Sequence, residues 1–260
     1  MFPYIIFLGK TITTYQLMAL IGIFSAGIYS SLLSKKHLID SNETIMFLLI
    51  ASIGIFFGSH LLYILISIKT IKTSGSFNDF IKLFLSGSVF YGGLTGGIII
   101  VYYFRERFKN FNKIVYIVTP SIPLFHFFGR IGCFLYGCCF GIECIHGYEY
   151  SISPVEIANG VKRLPIQLIE AIFNLTLFTV LHLIQKKYIF QLYLVFYSMG
   201  RFIIEYFRGD HYRGIWIFNF STSQIISIII LFGTLLNIFY LKKHEKKQSS
   251  IFPVTITSKT

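Results

Sequence analysis

Charged side chains are scarce in this sequence of 260 residues. Asp, Glu, Lys and Arg together make up 13%, whereas hydrophobic residues make up 54% and the mean hydropathy is +0.68. A soluble domain normally carries about 25% charged residues, so the polar side chains here are too few to cover a water-exposed globule. The shortage excludes an ordinary soluble domain and is typical of a protein whose apolar surface is solvated by lipid.

Acidic residues are scarcer still, because 11 Asp and Glu stand against 23 Lys and Arg, for a net charge of +12. The sequence also lacks a base-reading module and zinc-finger spacing, so we expect no nucleic-acid partner. The basic residues fall in short clusters between apolar runs, as in the cytoplasmic loops of membrane proteins.

The N-terminus lacks a basic segment and a small-residue cleavage site, so we expect no removable signal peptide.

Seven apolar runs approach the roughly 20 residues that a membrane-crossing helix needs. They cover residues 15–33, 44–67, 86–104, 114–128, 167–184, 189–207 and 222–241. The fourth run is weak because Pro120 and Pro123 interrupt it. We therefore predict an all-α polytopic membrane protein of about seven transmembrane helices, forming a single integral membrane domain over residues 1–260.

The distribution of Lys and Arg predicts how the chain is oriented. One set of loops is richer in these residues than the alternate set, namely 35–36, 105–113, 186–187 and 242–247. By the positive-inside rule, the C-terminus is cytoplasmic and the N-terminus lies outside. This places a basic tail over residues 242–260 in the cytoplasm and the longest loop, about 140–165, on the outer face.

Ionisable residues interrupt the sixth run, in the segment YSMGRFIIEYFRGD. At about 100° per residue, a helix would bring Arg201, Glu205 and Arg208 to one face. An ionisable group at the bilayer centre costs at least about 2.5–3.5 kcal/mol, so such groups usually have a function. The alternative is an interfacial ion pair that extends to the headgroups. That alternative suits Arg208 and suits Arg201 poorly, because Arg201 lies about two turns deeper.

A second intramembrane charge lies in the segment HFFGRIGCFLYGCCFG, where Arg130 follows His126 by four residues and shares its helix face. The glycines around it let a ligand or a backbone approach closely. Two arginines near the outer face favour the capture of a phosphate, which Arg binds in bidentate fashion. The phosphate that a membrane supplies is a phospholipid headgroup. Without Arg130, His126 would be interpreted as a core histidine.

Four cysteines, Cys133, Cys138, Cys139 and Cys144, lie within twelve residues with the spacing C-x4-C-C-x4-C. This spacing lacks the C-x2-C pair of a standard structural zinc site. Three interpretations stay open. The thiols form disulfides at an oxidising face, pack as small hydrophobes, or include a nucleophile or metal ligand.

Five segments, taken in order, resemble the prolipoprotein diacylglyceryl transferase family. They are TTYQLMALIG, FYGGLTGG, GRIGCFLYGCCFG, RLPIQLIEA and YSMGRFIIEYFRGD. The third resembles the family signature G-R-x-G-N-F-x-N-G-E-x-x-G, and the last resembles its late Y-x-x-x-R-x-x-x-E-x-x-R segment. The resemblance implies seven helices in the bacterial cytoplasmic (inner) membrane, with the N-terminus outside. It also implies transfer of the diacylglyceryl group of phosphatidylglycerol to the lipobox cysteine thiol of a prolipoprotein, with no metal or organic cofactor.

Four positions depart from the family pattern. The histidine of its H-G-G-L segment is Tyr91 here, its two signature asparagines are Cys133 and Tyr136, and its signature glutamate is Cys138. The chain therefore resembles a diverged member of the family. Two rival interpretations are a lipid-modifying transferase with a different acceptor and a non-catalytic lipid or solute transporter.

The site hypothesis combines the charges with the resemblance, which maps functional roles onto Tyr15, Arg130, Tyr197, Arg201 and Glu205. We expect catalytic roles for Arg130, Arg201, Glu205, His126 and Tyr91, with His126 as the candidate base. We expect substrate contacts from Tyr15, Tyr197, Gly92, Gly93 and Arg208. The expected partners are phosphatidylglycerol or another anionic phospholipid, the signal peptide of a prolipoprotein, and the membrane. The small residues of YGGLTGG also fit a second interpretation, a tight helix-packing face.

Overall fold

The structure, a computed structural model, describes residues 1–7, 9–67, 80–81, 84, 87, 89–184, 187–209 and 220–251. Most of these residues are helical. The helices are α1 (Thr14–Lys36), α2 (Ser41–Ser67), α3 (Phe90–Tyr103), α4 (Phe111–Val118), α5 (Ser121–Tyr136), α6 (Ile166–Ile184), α7 (Ile189–Glu205) and α8 (Thr222–Ile251). Short 3₁₀ turns follow α3 at Arg105–Arg107 and precede α6 at Glu156–Ala158.

The predominantly helical structure agrees with the predicted all-α membrane fold, and two small antiparallel sheets accompany the helices. Strand β1 (Tyr4–Phe7) pairs with β2 (Lys10–Thr13), and Gly9 at φ 72° lies in the turn between them. Strand β3 (Glu143–Glu149) pairs with β4 (Lys162–Arg163). These strands are much shorter than a membrane-spanning helix, so apolar runs of that length in the sequence cannot predict them.

The structure contains helices that can span a membrane, whereas the predicted count of seven stays a prediction. Among the described residues, five stretches are long and apolar enough to cross a bilayer: Thr14–Lys36, Ser41–Leu65, Phe111–Tyr136, Ile166–Ile184 and Thr222–Lys243. The third and sixth predicted spans correspond to α3, with 14 residues, and α7, with 17 residues. Residues 86 and 88 of the third span lie outside the described residues. The chain is a multi-pass membrane protein.

The fourth predicted span is divided as its prolines indicate. Helix α4 ends at Val118, and α5 begins at Ser121, directly after Pro120. Pro123 lies in the first turn of α5, where a missing N–H removes no helical hydrogen bond. The helix does not end near residue 128, as predicted, but continues to Tyr136, because Gly137 at φ 89° is the residue that terminates it. Arg130 therefore lies well inside α5.

The chain divides into two compact units, one formed by Gly27–Val118 and the other by Met1–Ala26 with Thr119–Thr260. In the Gly27–Val118 unit, α2 and α3 are in direct backbone contact. A Cβ atom on Gly58 would lie 2.3 Å from the Gly92 carbonyl oxygen, and one on Gly54 would lie 2.5 Å from that of Gly96. A single membrane domain over the whole chain stays a prediction.

In the other unit, the loop after α5 is fastened to the chain that follows α7. The Ile142 N–H donates to the Phe207 carbonyl (3.0 Å), and the Gly209 N–H donates to that of Phe140 (3.0 Å). A backbone bridge joins Gly141 to Arg208 between them. The predicted 140–165 loop is thus folded, whereas its position on the outer face stays a prediction. Residues 242–251 of the predicted tail continue α8, and 252–260 lie outside the described residues.

Candidate functional site

A carboxylate on α6, Glu170, is the centre of a buried cluster of arginines. Arg130 on α5 places Nη1 2.8 Å from Glu170 Oε2, and Arg208 places Nη1 3.8 Å from the same oxygen. Arg201 on α7 donates from Nη1 to Glu170 Oε1. Three elements and the segment after α7 are needed to bring these side chains together. We call Glu170, Arg130, Arg201, Arg208 and Glu205 the charged centre.

Arg201 joins two carboxylates with different nitrogens of one guanidinium. Its Nη1 contacts Glu170, while its Nη2 lies 2.6 Å from Oε2 of Glu205, one turn further along α7. Nη2 also donates to the Ser223 hydroxyl on α8 at 3.5 Å. The planar fork of Arg fits such a double contact, which a point charge such as Lys cannot reproduce. Arg201 and Glu205 share one face of α7, as their four-residue spacing predicts.

Within the described residues, the charged centre groups three guanidinium groups with two carboxylates. The side chains of Arg201 and Arg208 are 7% and 2% exposed, whereas that of Arg130 is 20% exposed. Buried charges are stable only when they are paired and hydrogen-bonded. Arginines grouped in this way favour the binding of an anion such as a phosphate, and Arg130 has the most exposed guanidinium of the three.

Arg208 corrects one sequence-based expectation. Helix α7 ends at Glu205, so Arg208 does not share a helix face with Arg201 and Glu205. Its side chain is buried against Glu170, so the alternative in which it extends to the headgroups is wrong. The chain turns after Glu205 because residues 207–209 pair with the loop at 140–142.

His126 lies one turn before Arg130 on α5, as the four-residue spacing predicts. Its ring centroid is 5.5 Å from that of Tyr197 on α7, and Tyr197 in turn stacks on Tyr193 at 5.6 Å. Tyr197 lies one turn before Arg201 on α7. His126 and Tyr197 therefore belong to the same buried region as the charged centre.

Tyr15 lies against α5 near the first cysteine. A Cβ atom on Gly132 would lie 3.2 Å from Tyr15 Cα and 3.4 Å from its Cδ2, so the absence of a side chain at Gly132 permits the contact. Tyr15 is 43% exposed, which leaves its ring accessible from outside the protein. The structure therefore brings Tyr15 next to the helix that carries Arg130.

Tyr91, Gly92 and Gly93 lie in the Gly27–Val118 unit. Tyr91 is buried at the start of α3. Gly92 and Gly93 face α2, where added Cβ atoms would meet Gly58 O at 2.4 Å and Ile55 O at 3.2 Å. The packing interpretation of YGGLTGG, expected for Gly93 and Gly97, is confirmed for both, because an added Cβ atom on Gly97 would lie 2.9 Å from Ile55 Cγ1, and Gly92 packs in the same way. The predicted contacts of Gly92 and Gly93 with substrate, and the catalytic role of Tyr91, stay predictions.

Glu170 is the functional candidate that sequence reasoning missed. The segment RLPIQLIEA contains it, but no role was assigned to its carboxylate. Glu170 is the single Asp, Glu, Lys or Arg in the apolar helix Ile166–Ile184. An ionisable residue in such a run is itself a signal of function, and this signal could have identified Glu170.

All four cysteines are free thiols in the structure.

Comparison with known proteins agrees with the motifs. Residues 3–240 match the sequence model of the family described as prolipoprotein diacylglyceryl transferase. A Clostridium tetani protein named phosphatidylglycerol–prolipoprotein diacylglyceryl transferase is 34% identical over 240 residues, covering 89% of this chain and 92% of that protein. A relative from Clostridium perfringens, whose name is the same with the number 2, is 30% identical; the match covers 92% of this chain and 95% of that protein. A relative of the same name from Rickettsia bellii is 34% identical, and the match covers 90% of this chain and 91% of that protein. The chain belongs to the prolipoprotein diacylglyceryl transferase family.

Proposed function

We propose that this chain transfers the diacylglyceryl group of phosphatidylglycerol to the lipobox cysteine thiol of a prolipoprotein. The observation that carries the proposal is the convergence of three arginines on the buried Glu170, with Arg130 the most exposed of them. The names of the relatives supply the donor and the acceptor. The membrane would be the bacterial cytoplasmic membrane, with about seven spans, the C-terminus inside and the 140–165 loop outside.

The phosphodiester of phosphatidylglycerol carries one negative charge, and guanidinium groups bind such an anion through charge-assisted hydrogen bonds. Arg130, with the most exposed of the three guanidinium groups, would make the first contact with it. Arg201 is held by Glu170 and Glu205 and would complete the clamp without first having to be oriented. A preorganised donor of this kind stabilises developing charge without reorganisation during the reaction.

The reaction itself requires that charge develop on the phosphate. The acceptor sulfur would attack the carbon of the diacylated glycerol that bears the phosphate. The bond between this carbon and the phosphate oxygen would break, and glycerol phosphate would leave. The phosphate changes from one negative charge towards the roughly −1.5 to −2 of a monoester at neutral pH. The arginines would therefore bind the transition state more tightly than the ground state, which is what accelerates the step.

The thiol proton needs a base, and His126 is the candidate because it lies one turn from Arg130. Tyr197, whose ring neighbours that of His126, would position the glycerol part of the donor. Tyr15 would contribute to positioning the donor, and Arg208 would add positive charge beside Glu170, which also contacts Arg130 and Arg201.

Purified protein incubated with labelled phosphatidylglycerol and a lipobox peptide tests the proposal. We expect label on the peptide and release of glycerol phosphate. Release of glycerol phosphate without labelled peptide would indicate a different acceptor. Neither product would overturn the transferase function and favour a transporter.

Substitutions test the clamp in the same assay. Arg130→Ala should lower kcat/KM by about 10²–10³-fold, the typical cost of removing one such donor, and Arg130→Lys should recover only part of the loss. Arg105→Ala is the matched control, because Arg105 is exposed and lies in the other unit. Full activity of Arg130→Ala would remove the clamp from the mechanism.

A further inference from the structure

Three cysteine thiols converge at the end of α5. Cys133 lies in the last turn of the helix. Cys138 and Cys139 come directly after Gly137, the residue that ends the helix. Their Sγ atoms all lie within 4.8 Å of one another. Cys144, on β3, is not part of this group.

The backbone after α5 is shaped to bring these thiols together. Gly137 at φ 89° ends the helix, and the Cys138 N–H then donates back to the Cys133 carbonyl at 3.1 Å. Cys139 adopts φ 60°, an unfavourable conformation for a residue with a side chain, which turns the chain back again. Such conformations persist only where the surrounding structure imposes them, and they are frequent at ligand sites.

Side chains from the 150–167 segment hydrogen-bond to the backbone of the turn at residues 137–139 and fix its position. Gln167 Nε2 donates to the Cys138 carbonyl at 2.7 Å, and the Ser153 hydroxyl donates to the Gly137 carbonyl at 2.9 Å. Gln167 is fixed in turn by the Tyr150 hydroxyl, which donates to its Oε1 at 3.0 Å. The three sulfur atoms are thus positioned by a folded scaffold on both sides of the turn.

Two arginines lie near this turn. Arg130 precedes Cys133 by three residues on α5, and Arg208 forms a backbone bridge with Gly141, two residues after Cys139. A thiolate, not a thiol, is the form of cysteine that binds metal ions.

We propose that Cys133, Cys138 and Cys139 form a three-thiolate site for a soft d¹⁰ metal ion, Zn²⁺ or Cu⁺. Thiolate sulfur selects these ions, and a metal–sulfur bond of about 2.3 Å places sulfur atoms roughly 4 Å apart, within the separation seen here. Binding would release the remaining thiol protons to solvent. Arg130 and Arg208 would offset the negative charge of the complex.

The proposal goes beyond the transferase function and does not rest on it. The resemblance implies no metal for the family, and it implies asparagine and glutamate at the positions of Cys133 and Cys138. The thiol cluster is therefore a feature of this sequence that the transfer reaction does not use, and metal binding can be measured without substrate.

The first test uses the full-length protein in detergent, reduced and then freed of reductant under anaerobic conditions. Titration with Zn²⁺ or Cu⁺ against a chromophoric chelator should give one tightly bound equivalent per chain. Co²⁺, used as a spectroscopic probe, should give a sulfur-to-metal charge-transfer band. Absence of that band in the wild-type protein, or less than one bound equivalent of both metals, would overturn the proposal.

Serine variants locate the site. Loss of a residue that only hydrogen-bonds to a metal ligand already costs about 10–100-fold in affinity, so Cys139→Ser should lower affinity by more than about 100-fold. Cys144→Ser is the matched control and should bind as the wild type does. Unchanged affinity in Cys133→Ser, Cys138→Ser and Cys139→Ser, or an equal loss in Cys144→Ser, would refute the assignment. Binding by the wild type alongside an inactive transferase assay would overturn the proposed function and leave the metal site standing.

Discussion

The charged centre and the contact between α2 and α3 are two solutions to close packing in apolar surroundings. The first places five ionisable side chains around one another, each carboxylate being in contact with at least one arginine. The second removes side chains altogether, so that Gly58 and Gly92 bring two backbones together. Each is described within its own unit.

The difference lies in what each region tolerates. The charged centre depends on the sign and geometry of its groups, because an unpaired buried charge is far less stable than a paired one. The α2–α3 contact depends on volume alone, because helices in lipid associate through close packing of small residues. A substitution that is harmless in one region should therefore be harmful in the other.

The largest effect is expected from Glu170→Ala, which leaves three arginines without their shared carboxylate. Removing one partner of a buried pair costs about 3–5 kcal/mol, so we expect a large drop in the free energy of unfolding or failure to accumulate in membranes. Unfolding of the purified protein and membrane yield measure it. Glu149→Ala, at an exposed position, is the control. Wild-type stability in Glu170→Ala would show that the cluster is not held by charge pairing.

The next effect is expected at the glycine contact, where charge is irrelevant. Gly58→Leu forces α2 and α3 apart, because even a Cβ atom there would lie 2.3 Å from the Gly92 carbonyl oxygen. Overpacking of this kind typically costs about 1–3 kcal/mol. Gly27→Leu is the matched control, since nothing lies within 4 Å of its added Cβ atom. Equal unfolding free energies for the two variants would contradict the packing role.

The smallest effect concerns Tyr150 in the loop that supports the charged centre. Burial raises the pKa of its hydroxyl from 10.0 to about 12. The unfolded chain therefore binds fewer protons than the folded chain between pH 10 and about 12, so this contribution to stability is complete below pH 10 and falls as pH rises through that window. Tyr150→Phe should remove this part of the pH dependence.

Unfolding midpoints across that window measure the effect. Tyr103→Phe is the matched control, because it removes the same hydroxyl from a residue that is 78% exposed. A Tyr150→Phe profile with the same slope as the wild type would indicate that Tyr150 titrates equally in both states.

Much of the charged centre could be predicted, and the reason is energetic. Arg130, Arg201 and Glu205 stand out because ionisable residues in apolar runs are costly unless they have a function. Glu170 obeys the same rule and was missed only because its segment resembled a family motif without an assigned role. The position of Arg208 could not be predicted, because pairing of residues 207–209 with a distant loop ends the helix before it.

The sequence alone determined that the chain is a multi-pass membrane protein of the transferase family, because hydropathy and short motifs are local properties of the chain. Only the tertiary structure decided that Glu170 joins three arginines and that three thiols meet after α5. These arrangements depend on contacts between residues far apart in sequence, such as Arg130 with Glu170 and Gln167 with Cys138. Local periodicity carries no information about which helices lie side by side, and packing alone supplies it.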